Sequence, residues 1–173
     1  ELKKIDGATW RDIFDYRRML RLEPLKGIFL FKEILFPTIP LQDIIYLGEG
    51  HTPLVRSNAG LSGLVGMEFF VKNDGLNPSG SLKDRASFLV VAEAVRLGED
   101  RIVTASTGNA ASALAAVCAA AGKEAIIFVP ASAPRAKVAQ ILLYGATLIP
   151  VDGTYDDAFR LSLAFTEQEG GLN

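Results

Sequence analysis

The residue with the clearest chemical potential is Lys83, which lies in the segment NPSGSLKDR at residues 77–85. The Asn, Pro and Gly of this segment break regular structure, so a tight loop is predicted here. The residues from Ser81 to Leu97 are predicted to form a helix. Ser81 and Asp84 have the spacing of a capping box, which places Lys83 in the first helical turn. The positive end of the helix dipole disfavours an ammonium at that position. The lysine therefore either reaches solvent as an ordinary surface charge or serves as a neutral amine that forms a Schiff base with an aldehyde.

A second loop with binding chemistry has the sequence ASTGNA at residues 105–110. Ser106 and Thr107 supply hydroxyls, Asn109 supplies an amide, and Gly108 lets a ligand approach the backbone closely. A helix is predicted to begin at Asn109, so its free N–H groups would form an anion site suited to a carboxylate or a phosphate. The alternative is a simple helix cap provided by Thr107 or Asn109.

Alternating strands and helices are predicted to position both loops, because apolar runs of strand length alternate with segments of helical length. The predicted strands are 67–72, 101–106, 124–130 and 146–151, and the predicted helices are 81–97, 109–121, 134–144 and 155–169. This order predicts βαβ units, and hence an α/β fold with a parallel twisted sheet and helices on both faces. Ligands bind at the carboxyl ends of the strands in such sheets, where we expect both loops to lie.

Composition excludes several functional classes. The 173 residues are 49% hydrophobic and carry a net charge of -2, which is typical of one well-buried domain and does not indicate a nucleic-acid surface. No apolar stretch is long enough for a membrane span. The single histidine, His51, and the single cysteine, Cys118, form no cluster with metal-ligand spacing, so no metal site is predicted. One cysteine permits no internal disulfide and favours a reducing, cytoplasmic setting.

Nucleotide-binding motifs fit poorly. Residues 75–81 approach the spacing of a P-loop, but Ser81 stands where that motif requires a lysine, and no Gly-x-Gly-x-x-Gly follows a strand. An amine beside a carboxylate-binding loop instead suits amino-acid chemistry through an imine, and pyridoxal phosphate is the cofactor that works in this way. The predicted cofactor is therefore pyridoxal 5'-phosphate, and the predicted partner is a small amino-acid substrate.

Three parts are predicted along the chain. Residues 1–46 form a helical arm, with a helix over about 10–22 and three prolines that divide the remainder. Residues 47–66 lead into the larger cofactor domain and belong to it, and residues 67–173 form a βαβαβαβα domain that carries both loops. The arm has too little apolar surface for a core of its own. We therefore interpret it as a packing element on the larger body or as the contact of a homodimer.

Three segments together resemble the fold type II family of pyridoxal-phosphate enzymes. NPSGSLKDR (77–85) resembles the cofactor-lysine motif, ASTGNAAS (105–112) resembles the asparagine loop, and GEGHTPLV (48–55) resembles the first strand. The resemblance covers about residues 46–173. The Asp that follows the Lys, and the GEG before TPL, are most similar to the threonine synthases of that family. Because enzymes of this family are considerably longer, we expect the chain to be an N-terminal portion without the C-terminal half, and to bind the cofactor weakly alone.

The resemblance also implies a role for each site residue. Lys83 would form the Schiff base with the cofactor and then move protons on the substrate, and Asn109 would hydrogen-bond the 3′ oxygen of the cofactor ring. Ser106, Thr107 and Gly108, together with the amides near Asn109, would hold the substrate carboxylate. Asn173 would contact the substrate phosphate. The implied reaction is the conversion of O-phospho-L-homoserine and water to L-threonine and phosphate.

Two positions depart from the family pattern and leave alternatives open. Leu82 stands where the motif usually has Phe, and Ala110 stands where threonine synthases often have a Thr that contacts the substrate phosphate. The substrate could therefore be that of another fold type II enzyme, either a threonine or serine dehydratase or a cysteate- or cysteine-synthase-like enzyme. An alternative from another class is a non-catalytic α/β module that binds an anion at residues 106–109 and forms no imine.

Overall fold

The computed structural model describes residues 4–20 and 22–173. Within these ranges the chain folds into short N-terminal helices, a small antiparallel sheet and a larger parallel sheet. The helices are α1 (Gly7–Leu20), α2 (Lys32–Leu35), α3 (Ala59–Val65), α4 (Asp84–Leu97), α5 (Asn109–Ala121), α6 (Arg135–Leu143) and α7 (Tyr155–Glu169), and the strands are β1 (Leu54–Arg56), β2 (Phe70–Lys72), β3 (Arg101–Ala105), β4 (Glu124–Pro130) and β5 (Thr147–Val151). None of the helices in the described ranges is long and apolar enough to cross a bilayer.

The parallel sheet has the order β3-β4-β5, with β4 paired to both neighbours. Along β4, Ile127 belongs to the core formed with α4 and α5, whereas Ile126 and Phe128 belong to a second core that includes Ala158 of α7. Since side chains alternate between the two faces of a strand, this division shows that both faces of the sheet are covered. The α/β architecture predicted from the sequence, with a parallel sheet between helical layers, is confirmed.

The strand predicted over 67–72 does not join this sheet, so the expectation of four parallel strands is wrong. Strand β2 pairs antiparallel with β1, with Leu54 opposite Lys72 and Arg56 opposite Phe70. All three residues of each strand are exposed. The apolar composition of this segment therefore did not indicate a buried strand of a parallel sheet. A short apolar run does not by itself show with which strand it pairs.

The N-terminal segment packs closely on the body of the chain. Phe29, Ile39 and Ile44 are buried in the same core as α4 and α5. Helix α1 is attached through the ring of Phe14, which packs edge-on against Phe31 and stacks with Trp10 of the same helix. Residues 1–3 and 21 belong to the predicted arm but lie outside the described residues. The division of the chain near residue 46 stays a prediction, because the second half of the arm shares its core with the rest.

Candidate active site

Lys83 occupies the residue directly before α4, and its side chain is exposed. The predicted helix start at Ser81 is therefore too early, because Ser81 and Leu82 form turns and the helix begins at Asp84. The predicted capping box between Ser81 and Asp84 is also wrong. The Ser81 hydroxyl accepts a hydrogen bond from the Lys83 N–H at 3.1 Å, and the Asp84 carboxylate reaches backwards to a different residue.

That residue is Ser79. The fully buried carboxylate of Asp84 accepts hydrogen bonds from the Ser79 N–H, at 2.7 Å, and from the Ser79 hydroxyl. The turn over residues 77–80 is closed by a 2.8 Å bond from the Gly80 N–H to the Asn77 carbonyl, and Gly80 has a φ of 79° that favours glycine. Asp84 thus braces the loop that ends at Lys83, because a buried carboxylate bound by a backbone N–H and a hydroxyl holds such a loop in one conformation.

The lysine loop is also tied to the segment that begins with GEG. The Gly50 N–H donates to the buried Asn77 side chain at 2.9 Å. Arg85 donates to Asp74 at 2.6 Å and to the Thr52 hydroxyl at 3.1 Å. Hydrogen bonds from Thr52, and then from Arg85, hold the pKa of Asp74 below its usual value. Two of the three segments that carry the sequence resemblance therefore meet in one hydrogen-bonded unit.

The asparagine loop lies at the carboxyl end of β3 and leads into α5. Gly108 precedes the helix, and no side chain caps it, so the N–H groups of the first turn remain available for an anion. The Ser106 hydroxyl accepts from the Gly108 N–H at 3.3 Å, which fixes the turn itself. Thr107 is half-buried, and in the described ranges no atom of a residue beyond the immediate neighbours of Gly108 and the backbone of α5 lies within 4 Å of a Cβ built on Gly108. The alternative considered from the sequence, a side-chain cap by Thr107 or Asn109, is absent, and anion binding stays a prediction.

Two side chains of α6 connect the lysine loop with the asparagine loop. Lys137 Nζ donates to Asn109 Oδ1 at 2.5 Å and to Gln140 Oε1 at 3.0 Å. Gln140 Nε2 donates in turn to the carbonyl of Ser79 at 3.4 Å. Neither α6 residue is predicted to belong to the site from the sequence. Their only signal is polar side chains at i and i+3, which is common on any helix surface.

The reason expected for the meeting of the two loops therefore needs correction. The asparagine loop does follow a strand of the parallel sheet, but the lysine loop follows β2 of the separate antiparallel sheet. The loops are held near each other by the packing of α4 along α5 and by the α6 side chains. Shared position on one sheet edge does not bring them together.

Asn173, the fifth predicted substrate contact, is directed elsewhere. Its amide nitrogen lies 3.2 Å from the Ser162 hydroxyl and 3.3 Å from the Thr166 hydroxyl, both on α7. The adjacent Leu172 pairs in parallel with Ile102 at the edge of the sheet. Asn173 also lines a cleft of about 380 Å³ between α4, α5 and β3, together with Ala110. Its contact with a substrate stays a prediction that no contact in the structure supports.

The donor set suits an aromatic aldehyde with an adjacent ring oxygen. Lys83 offers an exposed amine, Asn109 offers an amide, and the first turn of α5 offers N–H groups for an anion. The amine and the amide are the groups needed at the aldehyde end of pyridoxal phosphate, and the N–H groups suit the carboxylate of an amino-acid substrate, so the residues present fit that cofactor. No group of three or more His, Cys, Asp or Glu residues in the described ranges is arranged to hold a metal ion.

Comparison with known proteins agrees with this geometry. The sequence model of the family described as pyridoxal-phosphate dependent enzymes matches residues 45–173. The chain belongs to the pyridoxal-phosphate-dependent enzyme family. Its cofactor class follows from that membership, and the α/β fold agrees with that of solved structures in the family. Maize serine racemase, for example, superposes with a TM-score of 0.63 at 30% identity, over 70% of this chain and 37% of that one.

Several relatives of known name are threonine synthases. That of Methanocaldococcus jannaschii is 41% identical over 163 residues, which cover 90% of this chain and 40% of the relative. That of Halalkalibacterium halodurans is 38% identical over 140 residues, which cover 80% of this chain and 39% of the relative. The resemblance to threonine synthases is thereby confirmed. The chain spans well under half the length of these relatives.

Proposed function

We propose that the protein is a threonine synthase that converts O-phospho-L-homoserine and water to L-threonine and phosphate. One observation carries the proposal. Similarity to a threonine synthase extends over 90% of the chain, and therefore through both the lysine loop and the asparagine loop. The hydrogen-bonded connection of these loops through Lys137 and Gln140 supports it further, because a cofactor held by an amine and an amide needs both at a fixed separation.

Lys83 is the proposed catalytic residue. Its position before α4 leaves the amine free of the helix and exposed on the side of the loop, where it can form a Schiff base with the aldehyde of pyridoxal phosphate. When bound, the cofactor supplies an electron sink for the substrate carbanion. With cofactor and substrate bound, the free amine of Lys83 would move protons at the substrate Cα and Cβ. The buried brace between Asp84 and Ser79 keeps the preceding loop rigid during these transfers.

The asparagine loop is the proposed binding element. Asn109 is assigned to the ring oxygen of the cofactor, since an amide N–H donates well to a phenolate oxygen. Ser106, Thr107 and Gly108, with the first N–H groups of α5, are assigned to the substrate carboxylate, for which an uncapped helix N-terminus is favourable. Asn173 remains a further proposed substrate contact only if its amide leaves the hydroxyls of α7.

A dehydratase that acts on threonine or serine is the second candidate, and Ala110 favours it. This small apolar residue follows Asn109 and lines the cleft beside α5. It offers no hydroxyl to a substrate phosphate group. Threonine and serine, the substrates of a dehydratase, carry no phosphate and do not need that hydroxyl. Structures in the same family include the threonine deaminase of Solanum lycopersicum, with a TM-score of 0.63 at 25% identity. A cysteate- or cysteine-synthase-like reaction also stays open.

The first experiment tests the Schiff base. The protein expressed from its complete reading frame is incubated with pyridoxal phosphate, reduced with borohydride and mapped by peptide mass spectrometry. We expect the label at Lys83, its loss in Lys83→Ala, and its retention in the control Lys123→Ala, whose ammonium pairs with Asp100 at the opposite end of α5. A folded protein that carries no label at Lys83 would refute the assignment and favour a non-catalytic anion-binding module.

The second experiment identifies the substrate. Release of phosphate and formation of threonine from O-phosphohomoserine would support the threonine synthase. Formation of a keto acid and ammonia from threonine or serine, without phosphate release from O-phosphohomoserine, would instead establish the dehydratase. Phosphoserine and sulfide complete the panel for the synthase-like alternative. The cytoplasmic location and a homodimer stay predictions from the sequence, the second of which sedimentation equilibrium can check.

A further inference from the structure

We infer that Lys137 is a positioning residue, whose ammonium fixes the side-chain amide of Asn109 so that its nitrogen faces the cofactor. This inference rests on the proposed function, since it concerns how the cofactor is held. It assigns a role in the site to a residue of α6, which is not part of either loop. The hydrogen bond that motivates it joins Lys137 Nζ to Asn109 Oδ1 at 2.5 Å.

The chemistry of the pair determines which way the amide faces. An ammonium has three donors and no acceptor, so only the oxygen of the Asn109 amide can face it. The amide nitrogen then points away from Lys137, and in the described part of the chain it donates to no other group. A side-chain amide with no charged neighbour could adopt two orientations of similar energy, in one of which an oxygen would face the cofactor ring. Lys137 removes that second orientation.

The ammonium is held in place by its own contacts. Gln140, one turn further along α6, accepts from Lys137 at 3.0 Å and donates to the carbonyl of Ser79 at 3.4 Å. Ser79 is bound by the carboxylate of Asp84, and Asp84 is the first residue of α4, directly after Lys83. A continuous series of hydrogen bonds therefore runs from the amide that would bind the ring oxygen to the loop that carries the amine. The same side chains that orient Asn109 also set its position relative to the lysine loop.

Lys137 has no carboxylate partner in the described ranges, where its acceptors are the two side-chain amides. An ordinary surface lysine would gain little from such contacts, because both partners are neutral and the residue is half-exposed. Stabilisation of the fold therefore does not account well for the hydrogen bonds of Lys137, whereas orientation of the Asn109 amide does. The two roles differ in what they predict for cofactor binding.

The test uses the protein expressed from its complete reading frame. Lys137→Met removes the ammonium and keeps the length of the side chain, and Lys137→Arg keeps a purely donating cation. Lys123→Met is the matched control, since Lys123 lies between α5 and β4 and its partner is Asp100. We expect pyridoxal phosphate to bind about tenfold more weakly to Lys137→Met. This is the effect of losing one hydrogen bond to a charged group, here the bond from the Asn109 amide to the ring oxygen. Lys137→Arg should bind within about twofold of the wild type, and Lys123→Met should be unchanged.

The absorption band of the Schiff base supplies a readout that a structural role would not move. Loss of an N–H donor leaves more negative charge on the ring oxygen, which favours the protonated Schiff-base nitrogen beside it. The pH midpoint of the band should therefore rise in Lys137→Met and in Asn109→Ala, and stay at the wild-type value in Lys123→Met. Because Lys137 is half-exposed, the methionine variant is expected to fold, and Lys137→Arg gives a second measurement that does not depend on methionine.

A double-mutant cycle then decides the inference. If Lys137 acts through Asn109, then Lys137→Met should have almost no further effect on cofactor affinity in the Asn109→Ala background. Equal losses in both backgrounds, or no loss in the Lys137→Met single variant, would overturn the inference while Lys83 is still labelled after borohydride reduction. Failure of the proposed function gives a different result, which is a wild-type protein that is not labelled at Lys83.

Discussion

Glu49 allows a prediction whose size follows from the structure. Its side chain is fully buried, and the oxygen Oε1 has no hydrogen-bond partner within the described residues. The other oxygen accepts only a long bond, 3.4 Å from the Leu47 N–H. Burial, with a smaller contribution from the charge of Asp84, raises the pKa of Glu49 from 4.5 to about 7. The carboxyl is therefore a proton-binding group of the folded protein at a pH where the unfolded chain has already released the proton.

The sign of the effect on stability follows from this difference. Below about pH 4.5 the carboxyl of Glu49 is protonated in both states, and above about pH 7 it is ionised in both. Between these values only the folded state keeps the proton, so the free energy of unfolding falls as the pH rises through the window. A pKa of about 7 in place of 4.5 corresponds to a loss of roughly 3 kcal/mol across the window.

Glu49→Gln should remove this part of the pH dependence. Glutamine has nearly the same shape and does not titrate, so the comparison between two pH values does not depend on small changes in packing. The free energy of urea unfolding would be measured at about pH 4 and about pH 8 for the wild type, Glu49→Gln and the control Glu167→Gln, which is exposed on α7. We expect the difference between the two pH values to shrink by roughly 3 kcal/mol in Glu49→Gln alone. The reasoning is wrong if wild type and Glu49→Gln lose the same stability over this range.

Three further predictions concern packing and the lysine loop. Gly27→Ala should destabilise the protein by about 2 kcal/mol or more in urea, since its φ is +56° and its Cβ would lie 2.2 Å from the Glu49 carbonyl, whereas Gly63→Ala in the open helix α3 should be neutral or stabilising. Burial raises the pKa of Cys118 to about 12, so a thiol reagent at about pH 8 should react only after unfolding, and rapid labelling of the native protein would contradict this. Asp84→Asn should cost roughly 1 to 3 kcal/mol and speed amide exchange in the lysine loop, and unchanged exchange would show that Asp84 is not the brace.

Regular elements with strong local signals were predictable from the sequence. Helix α7 runs from Tyr155 to Glu169 as predicted, because Thr154 and Asp157 form a capping box at its start and a glycine follows its end. Helix α5 and strand β4 also have the predicted bounds. In each of these segments, the hydrophobic pattern and the residues that mark its ends are close together in the sequence. Local sequence patterns were therefore sufficient to predict its bounds.

Features that depend on distant partners were not predictable. The pairing of β2 with β1 links residues on either side of α3, and nothing within 67–72 states whether the strand joins a parallel or an antiparallel sheet. The predicted capping box of Ser81 failed because Asp84 had a competing donor in Ser79, five residues before it. The spacing of a capping box identifies two residues that are able to form a hydrogen bond. Which donor the Asp84 carboxylate binds depends on the conformation of the preceding loop, which brings Ser79 closer.

The candidate site illustrates why motif residues do not define a site on their own. The two loops belong to different sheets, so each could be correctly predicted while their separation stayed unknown. That separation is set by the packing of α4 along α5 and by Lys137 and Gln140 on α6, two polar residues with no signal beyond helical spacing. A small displacement of either loop would move an amine or an amide away from a cofactor that requires both, and such displacements are costly to catalysis. Substitutions on α6 should therefore alter cofactor binding without changing a residue of either loop.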